Sequence, residues 1–310
     1  MIITQANMAS LFVALSAAFA TGMETPAPVD FVQLGLVNDF PSVTSKNAYP
    51  FEEAPEGFKE WDGDRVWKDF VAHMHEVKNR PFEYSRKVKR DVIDDDLHGI
   101  FAPLLTQKGT EWPVLLYELV VEVLTNQHKA FDGKTFFNAT HTKGYNGTLA
   151  NLVTDALTKT VFEAALNTAA AWKFSNGKLV RPKFTHLLHG PGLAGTVFEL
   201  VQSEYVVKAE ATGDATTTYV GAGIRNRHYN RVTAVEIPDF VGDYANYWVL
   251  LDCSKFLKPV FVQQRRKPVF RMTTDPQIID ETGEIKMGAD GRAAAGCSYP
   301  HLAIGGMVSA

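Results

Sequence analysis

The stretch from Phe82 to Phe137 constrains this chain most, because it fixes a strand, two helical runs and a turn in a set order. Phe82, Tyr84, Val88 and Val92 fall at even spacing, broken by Arg86 and Arg90. The strand they predict is therefore only half apolar and suits the margin of a core better than its centre. Asp94 and Asp95 offer carboxylates to the free N–H groups of a helix start, and Leu97, Ile100, Phe101, Leu104 and Leu105 follow as one apolar stripe. Pro103 conflicts with an unbroken helix, since a mid-helix proline loses a hydrogen bond and clashes with the preceding turn, so a kink or a delayed start is predicted. After Gly109 a second run begins, with Pro113 suited to a first turn and Leu115, Leu116, Leu119, Val120, Val123 and Leu124 as its face; Asp132-Gly133 then turns the chain.

At 310 residues the chain can bury a sizeable core and suits one or two domains. Hydrophobic content of 45% with 21% charge excludes a disordered chain, and a net charge of −4 argues against a dedicated nucleic-acid binder. The charge is uneven. Residues 1–64 hold nine acids against Lys46 and Lys59, whereas residues 65–90 hold eight Lys and Arg against Asp69, Glu76 and Glu83. Two solvated faces account for this, and so does complementarity between neighbouring copies. Cys253 and Cys297 stand far apart among small or apolar neighbours and read as two buried thiols.

Met8–Ala20 is an apolar run of signal-peptide length, but no Lys or Arg precedes Lys46, so the positive leader is missing. Leu11, Phe12, Leu15, Ala18 and Phe19 instead predict an amphipathic helix that needs a partner surface. Prolines 26, 28, 41, 50 and 55 mark residues 21–55 as an extended arm. Residues 58–93 are read as a two-arm extended loop. Further on, the pattern predicts a helix over 149–172, a strand over 179–188, a Gly190-Pro191-Gly192 turn into a helix over 193–204, and a polar loop over 212–218. Strands are expected at 232–237 and 248–252, then a strand pair, 260–264 and 269–272, around Arg265-Arg266-Lys267-Pro268. A hairpin turn is expected at 281–283, and the Gly/Ala-rich end from Gly291 to Gly306 favours close backbone packing.

The order FEYSRKVKRDVIDDDLHGIFAPLL, a helix, then FDGKTFFNATH resembles the major head (capsid) subunit of Mu-like phages and prophages. MIITQANMASLFVALSAAF, FKEWDGDRVWKDF, RPKFTHLLHGPGLAGTVFELVQSE and GADGRAAAGCSYPHLAIGG extend the resemblance, in register, over nearly the whole chain. It implies an α+β chain with the Hong Kong 97-type capsid fold. In that reading residues 1–57 are an N-terminal arm, 58–93 an extended loop that reaches over a neighbouring subunit, 94–130 with 255–310 a peripheral domain carrying a spine helix, and 131–254 an axial domain. It also implies self-assembly as hexamers and pentamers into an icosahedral head around double-stranded DNA bound without sequence specificity. A scaffold, protease, portal and decoration proteins are further implied partners, with assembly in the bacterial host cytoplasm, residence in the virion and no membrane. The expected inter-subunit contacts are Phe12, Phe19, Trp61 and Trp67 as apolar anchors and Asp62, Arg65, Arg80, Arg86, Lys87 and Arg90 as charges.

Nothing in the sequence carries a catalytic signature, and no cofactor is expected. Gly190-Pro191-Gly192 fits a tight turn and lacks the spacing of a phosphate cradle. His73 with His75, and His186 with His189, lack a third ligand at recognisable spacing. A metal-dependent hydrolase using His73, His75 and Asp94 is the rival from another class, and a cellular nanocompartment shell the rival of the same fold. Arg265, Arg266 and Lys267 suit contacts to packaged DNA phosphates or, equally, a charged strand edge.

Overall fold

The computed structural model describes residues 4–308 apart from 53–57, 59, 61–62, 64–71, 97–98 and 212–216. In chain order it contains helix α1 (Gln5–Met23), strands β1 (Val37–Pro41), β2 (Lys46–Glu52), β3 (Ala72–Lys78) and β4 (Arg80–Lys89), and helices α2 (Arg90–Asp94), α3 (Phe101–Gly109) and α4 (Glu111–Leu124). There follow β5 (Leu152–Val153), α5 (Lys159–Ala170), β6 (His186–His189), α6 (Ala194–Val197), β7 (Tyr205–Ala211), β8 (Thr217–Arg225), β9 (Thr233–Glu236), β10 (Trp248–Leu251), β11 (Val260–Met272), α7 (Pro276–Thr282), β12 (Glu284–Cys297) and β13 (Ala303–Gly306). They build a four-stranded sheet ordered β1-β11-β12-β4, a five-stranded sheet ordered β5-β13-β10-β6-β9, and two separate two-stranded ribbons, β2-β3 and β7-β8.

The long antiparallel pair β11–β12 forms the centre of the first sheet, from Val260 opposite Cys297 to Met272 opposite Met287. The expected break into two strands does not occur. Residues 265–268 stay in β11, and the register shifts around Arg266 absorb Pro268, which has no N–H to give a ladder. Likewise α7 ends at Gly283, whose left-handed φ of 65° caps the helix, where a hairpin turn was expected.

Sheet membership redraws the expected segments. β1, expected in an extended arm, runs parallel to β11, and β4, expected in the extended loop, is the edge strand beside β12. The antiparallel arms are β2 and β3, from Lys46 opposite Lys78 to Glu52 opposite Ala72. β13 lies between β5 and β10, so the chain end returns to the five-stranded sheet. There its glycines allow the expected close approach: a Cβ on Gly306 would meet the Trp248 indole at 2.0 Å.

The broken helix appears as α3 and α4, joined through Thr110 in a helical conformation. Asp96 serves the start of α3: its Oδ1 accepts from the Ile100 N–H at 2.9 Å. The start is delayed so that Pro103 falls in the first turn, where no N–H is required. Helix α5 begins ten residues later than its apolar pattern suggests, because Thr158 takes the cap by accepting from the Val161 N–H at 3.2 Å. Its buried face is then Phe162, Ala165 and Ala169.

Helix α1 forms as expected and is, on length and apolarity, long enough to cross a membrane. Its partner surface, however, is its own chain: Met8, Leu15 and Phe19 pack with Leu105, Phe270, Ile279, Ile285 and Met287. The contact with α3 closes through two glycines. A Cβ on Gly22 would lie 1.9 Å from the Thr106 carbonyl oxygen and 2.9 Å from Gly109 Cα. Gly22→Ala should therefore lose about 1–3 kcal/mol of stability in urea unfolding, the usual cost of overpacking; an unchanged midpoint would contradict this crossing.

Candidate functional site

The surfaces left unfinished by this fold are the open face of the four-stranded sheet and the β2–β3 arms. Along β12, Ile285, Met287, Ala289, Gly291 and Ala293 are buried, whereas the alternate positions Glu284, Lys286, Gly288, Asp290 and Arg292 point to the other face. Lys286 stands opposite Lys87, Asp290 opposite Glu83, and Arg292 opposite Arg266. With β4 and β11 they line a broad groove whose open face holds the cations Lys87, Arg266, Arg271, Lys286 and Arg292 against the anions Glu83 and Asp290, while Arg86, opposite buried Met287, projects to the other face.

Ion pairs neutralise only part of this charge. Asp290 pairs with Arg266 and, at 3.8 Å, with Arg271; Lys87 reaches Glu284 at 2.9 Å. Arg86 lies over the Tyr84 ring at 5.9 Å. Lys286 and Arg292 meet no carboxylate among the described residues. On a chain of net charge −4 this is a local cationic face.

The arms leave the body from a fixed base. Buried Gln263 donates through Nε2 to the Val77 carbonyl and to Asn79 Oδ1, each at 3.0 Å, and accepts from the Tyr49 hydroxyl at 2.8 Å. Phe51 and Val77 enter a core with Phe131, Phe261 and Ala294. Beside that base, Arg80 pairs with Glu122 of α4 at 2.6 Å, and His128 Nε2 lies 3.6 Å from the same carboxylate.

Several residues expected between subunits are engaged within one. Phe19 is 4% exposed, and its ring lies 5.8 Å from Phe270; half-buried Phe12 stacks on the same ring at 6.1 Å. Phe19 lacks the free surface of an anchor, because it is packed within its own chain, whereas Phe12 keeps part of its surface exposed. Arg90 pairs with Asp280 at 2.7 Å, and Arg80 with Glu122. Trp61, Asp62, Arg65 and Trp67 lie outside the described residues. Arg265 is half-buried, while Arg266 and Lys267 are exposed at the β11 irregularity, Arg266 in the groove and Lys267 beside Asp39. Sequence reasoning missed Arg271, Lys286 and Arg292. The strict alternation of E-I-K-M-G-A-D-G-R-A over 284–293 was their signal, a strand with one polar face.

No group of three His, Cys, Asp or Glu able to hold a metal occurs among the described residues. Cys253 and Cys297 are free and buried, and burial pushes the Cys253 thiol up to about 11. His301 is lowered to about 3 by burial and, as a neutral ring, accepts from the Tyr145 hydroxyl at 2.9 Å.

A model of the Mu-like prophage major head subunit gpT family matches residues 8–155 and 224–308. The chain belongs to this family. It is accordingly a phage major capsid protein, a structural component of the virion head that assembles with its own kind, and not an enzyme. The major capsid protein of Escherichia phage Mu is 24% identical over 98% of this chain and 74% of that protein. Among solved structures, the procapsid of bacteriophage JBD30 superposes with a TM-score of 0.54 at 23% identity, covering 98% of this chain and 75% of that one. The SrpI encapsulin of Synechococcus elongatus shares the fold at a TM-score of 0.55 but with 9% identity, over 91% of this chain and 87% of that one. The Hong Kong 97-like capsid fold is thus present, and family membership separates the phage head from the nanocompartment rival and from the hydrolase.

Within the head subunit, the turn after α4 is locked by a buried side-chain contact: His141 Nδ1 lies 2.6 Å from Asp132 Oδ2, and its Nε2 lies 3.2 Å from the Phe136 carbonyl oxygen. Burial acts to raise the Asp132 carboxyl, but the hydrogen bond and charge of His141 outweigh it and hold the group below the ordinary carboxylate range. The sign follows: the stabilisation is complete above the unfolded carboxyl pKa near 4 and is lost as pH falls through the lower folded value. Asp132→Asn should cost about 3–5 kcal/mol at pH 7, the scale for breaking a buried pair, and should flatten the acid limb of the stability profile. Equal urea midpoints for the two proteins would contradict it.

Proposed function

We propose that this head subunit forms hexamers and pentamers that close into an icosahedral shell around double-stranded DNA, held without sequence specificity. In this reading the four-stranded sheet with α3 and α4 is the peripheral domain, α4 continues the spine, the five-stranded sheet is the axial domain, and β2–β3 is the extended loop. Assembly takes place in the bacterial host cytoplasm with a scaffold, a protease, a portal and decoration proteins as partners.

One observation carries the reading: a cationic groove on the open face of the four-stranded sheet, on an otherwise acidic chain. Residues 52–64 hold Glu52, Glu53, Glu56, Glu60, Asp62 and Asp64 against one lysine, Lys59. An anionic stretch of one copy against the cationic face of the next supplies register, and summed over a closed shell many modest contacts become strong. Charge near the groove, rather than any single anchor, then sets which surfaces meet.

The test reverses Lys286 and Arg292 to Glu together. These side chains are exposed, so the monomer should keep its melting temperature, while light scattering and negative-stain microscopy, with the other head components co-expressed, should find no particles. Particles at the wild-type yield would overturn the role given to this face.

A further inference from the structure

The foot of the β2–β3 arms carries a cluster that neither the fold nor the shell role requires. His75 lies on β3, half-buried, opposite Tyr49 of β2 and 6.0 Å from the Phe51 ring that plugs the arms into the body. His128 follows α4, with its backbone carbonyl accepting from the Phe136 N–H at 3.0 Å, so it belongs to the body. Glu122 of α4 takes the Arg80 guanidinium at 2.6 Å and faces His128 Nε2 at 3.6 Å. We propose that this junction is a proton-sensitive hinge: His75 beside the Phe51 plug, and His128 beside Arg80 and Glu122, loosen the arms from the body when they take up protons.

The surrounding charges support that direction. On β3 itself, Glu76 points to the other side and is held by Lys46 of β2 at 2.6 Å. Tyr49 of β2 gives its hydroxyl to Gln263 and offers no charge. On α4, Glu118 lies one turn before Glu122 and feels Asp239 more strongly than Glu122. β4 contributes Arg80, and Lys129, next to His128, is exposed. Protonating His128 therefore sets a second cation beside a carboxylate that Arg80 already occupies, and protonating His75 puts a charge beside the apolar Phe51 plug and within reach of the His128 charge.

Both rings titrate below the ordinary imidazole value. For His75 the cause is burial, then the charge of His128; for His128 it is burial, opposed by Glu122 and reinforced by Arg80. A histidine lowered in the docked state binds more protons once released. Docking is then at full strength above the free imidazole pKa of about 6.5 and weakens as pH falls below it.

Amide hydrogen exchange of the full chain, corrected for intrinsic rates, tests this at about pH 7.5 and about pH 5.5, either side of the free imidazole pKa. Protection in peptides spanning residues 46–52 and 72–78 should fall severalfold at the lower pH, while β10 keeps its protection. His75→Gln with His128→Gln should abolish the fall, and Glu122→Gln should move it to higher pH. Equal protection of the arms at both pH values, the same fall in the His75→Gln/His128→Gln protein, or a loss shared equally by β10 would overturn the hinge. This readout is made on unassembled subunits, so it stands or fails independently of the role given to the cationic face.

Discussion

The antiparallel pair β11–β12 is the constraint on which the rest of the subunit depends. Its buried side is made of small residues, Ala289, Gly291, Ala293 and Ala295, and this lets α4 sit directly on the sheet. A Cβ on Gly291 would meet the Trp112 ring at 2.6 Å. Because α4 lies so close, one face of the pair is closed within the subunit, and strict alternation sends every charged residue of β12 to the other. The same ladder positions β1 and β4 on its flanks and, through Gln263, fixes the foot of the arms.

A division of labour follows between apolar and charged surface. The apolar stripe of α1 is consumed within the chain, locked by the Gly22–Gly109 crossing. What the open face of the four-stranded sheet presents along β12 is largely charge, partly paired and partly not. Exposed charge contributes little to the stability of a single subunit, where surface ion pairs amount to about 0–1 kcal/mol each. It is well suited to orienting identical subunits against one another many times over.

Much of the fold was legible from residue order. The α3–α4 break followed from Pro103 and Gly109, the turn at Asp132-Gly133 from its turn chemistry, and the strands β9 and β10 from their apolar runs. Where the reading slipped, a local signal was overridden by tertiary pairing or by a stronger cap. Pro268 looked like the apex of a hairpin but is tolerated in a bulged strand, and Thr158 overruled an apolar run that begins ten residues earlier. The candidate surface was only half legible: Lys87 was found in β4, but its partner on β12 is nearly two hundred residues away, and only strand register brings Lys286 opposite Lys87. Phe19 misled because an amphipathic stripe declares that it needs a partner, not whether that partner is its own chain.

The central claim is that the cationic face of the four-stranded sheet is finished by a neighbouring copy. Hydrogen exchange of assembled particles compared with dissociated subunits measures this most directly. The account predicts that assembly adds protection chiefly along β4, the edge strand bordering the groove, and along the β2–β3 arms. Protection gained elsewhere, with β4 exchanging as fast in the particle as in the free subunit, would contradict it.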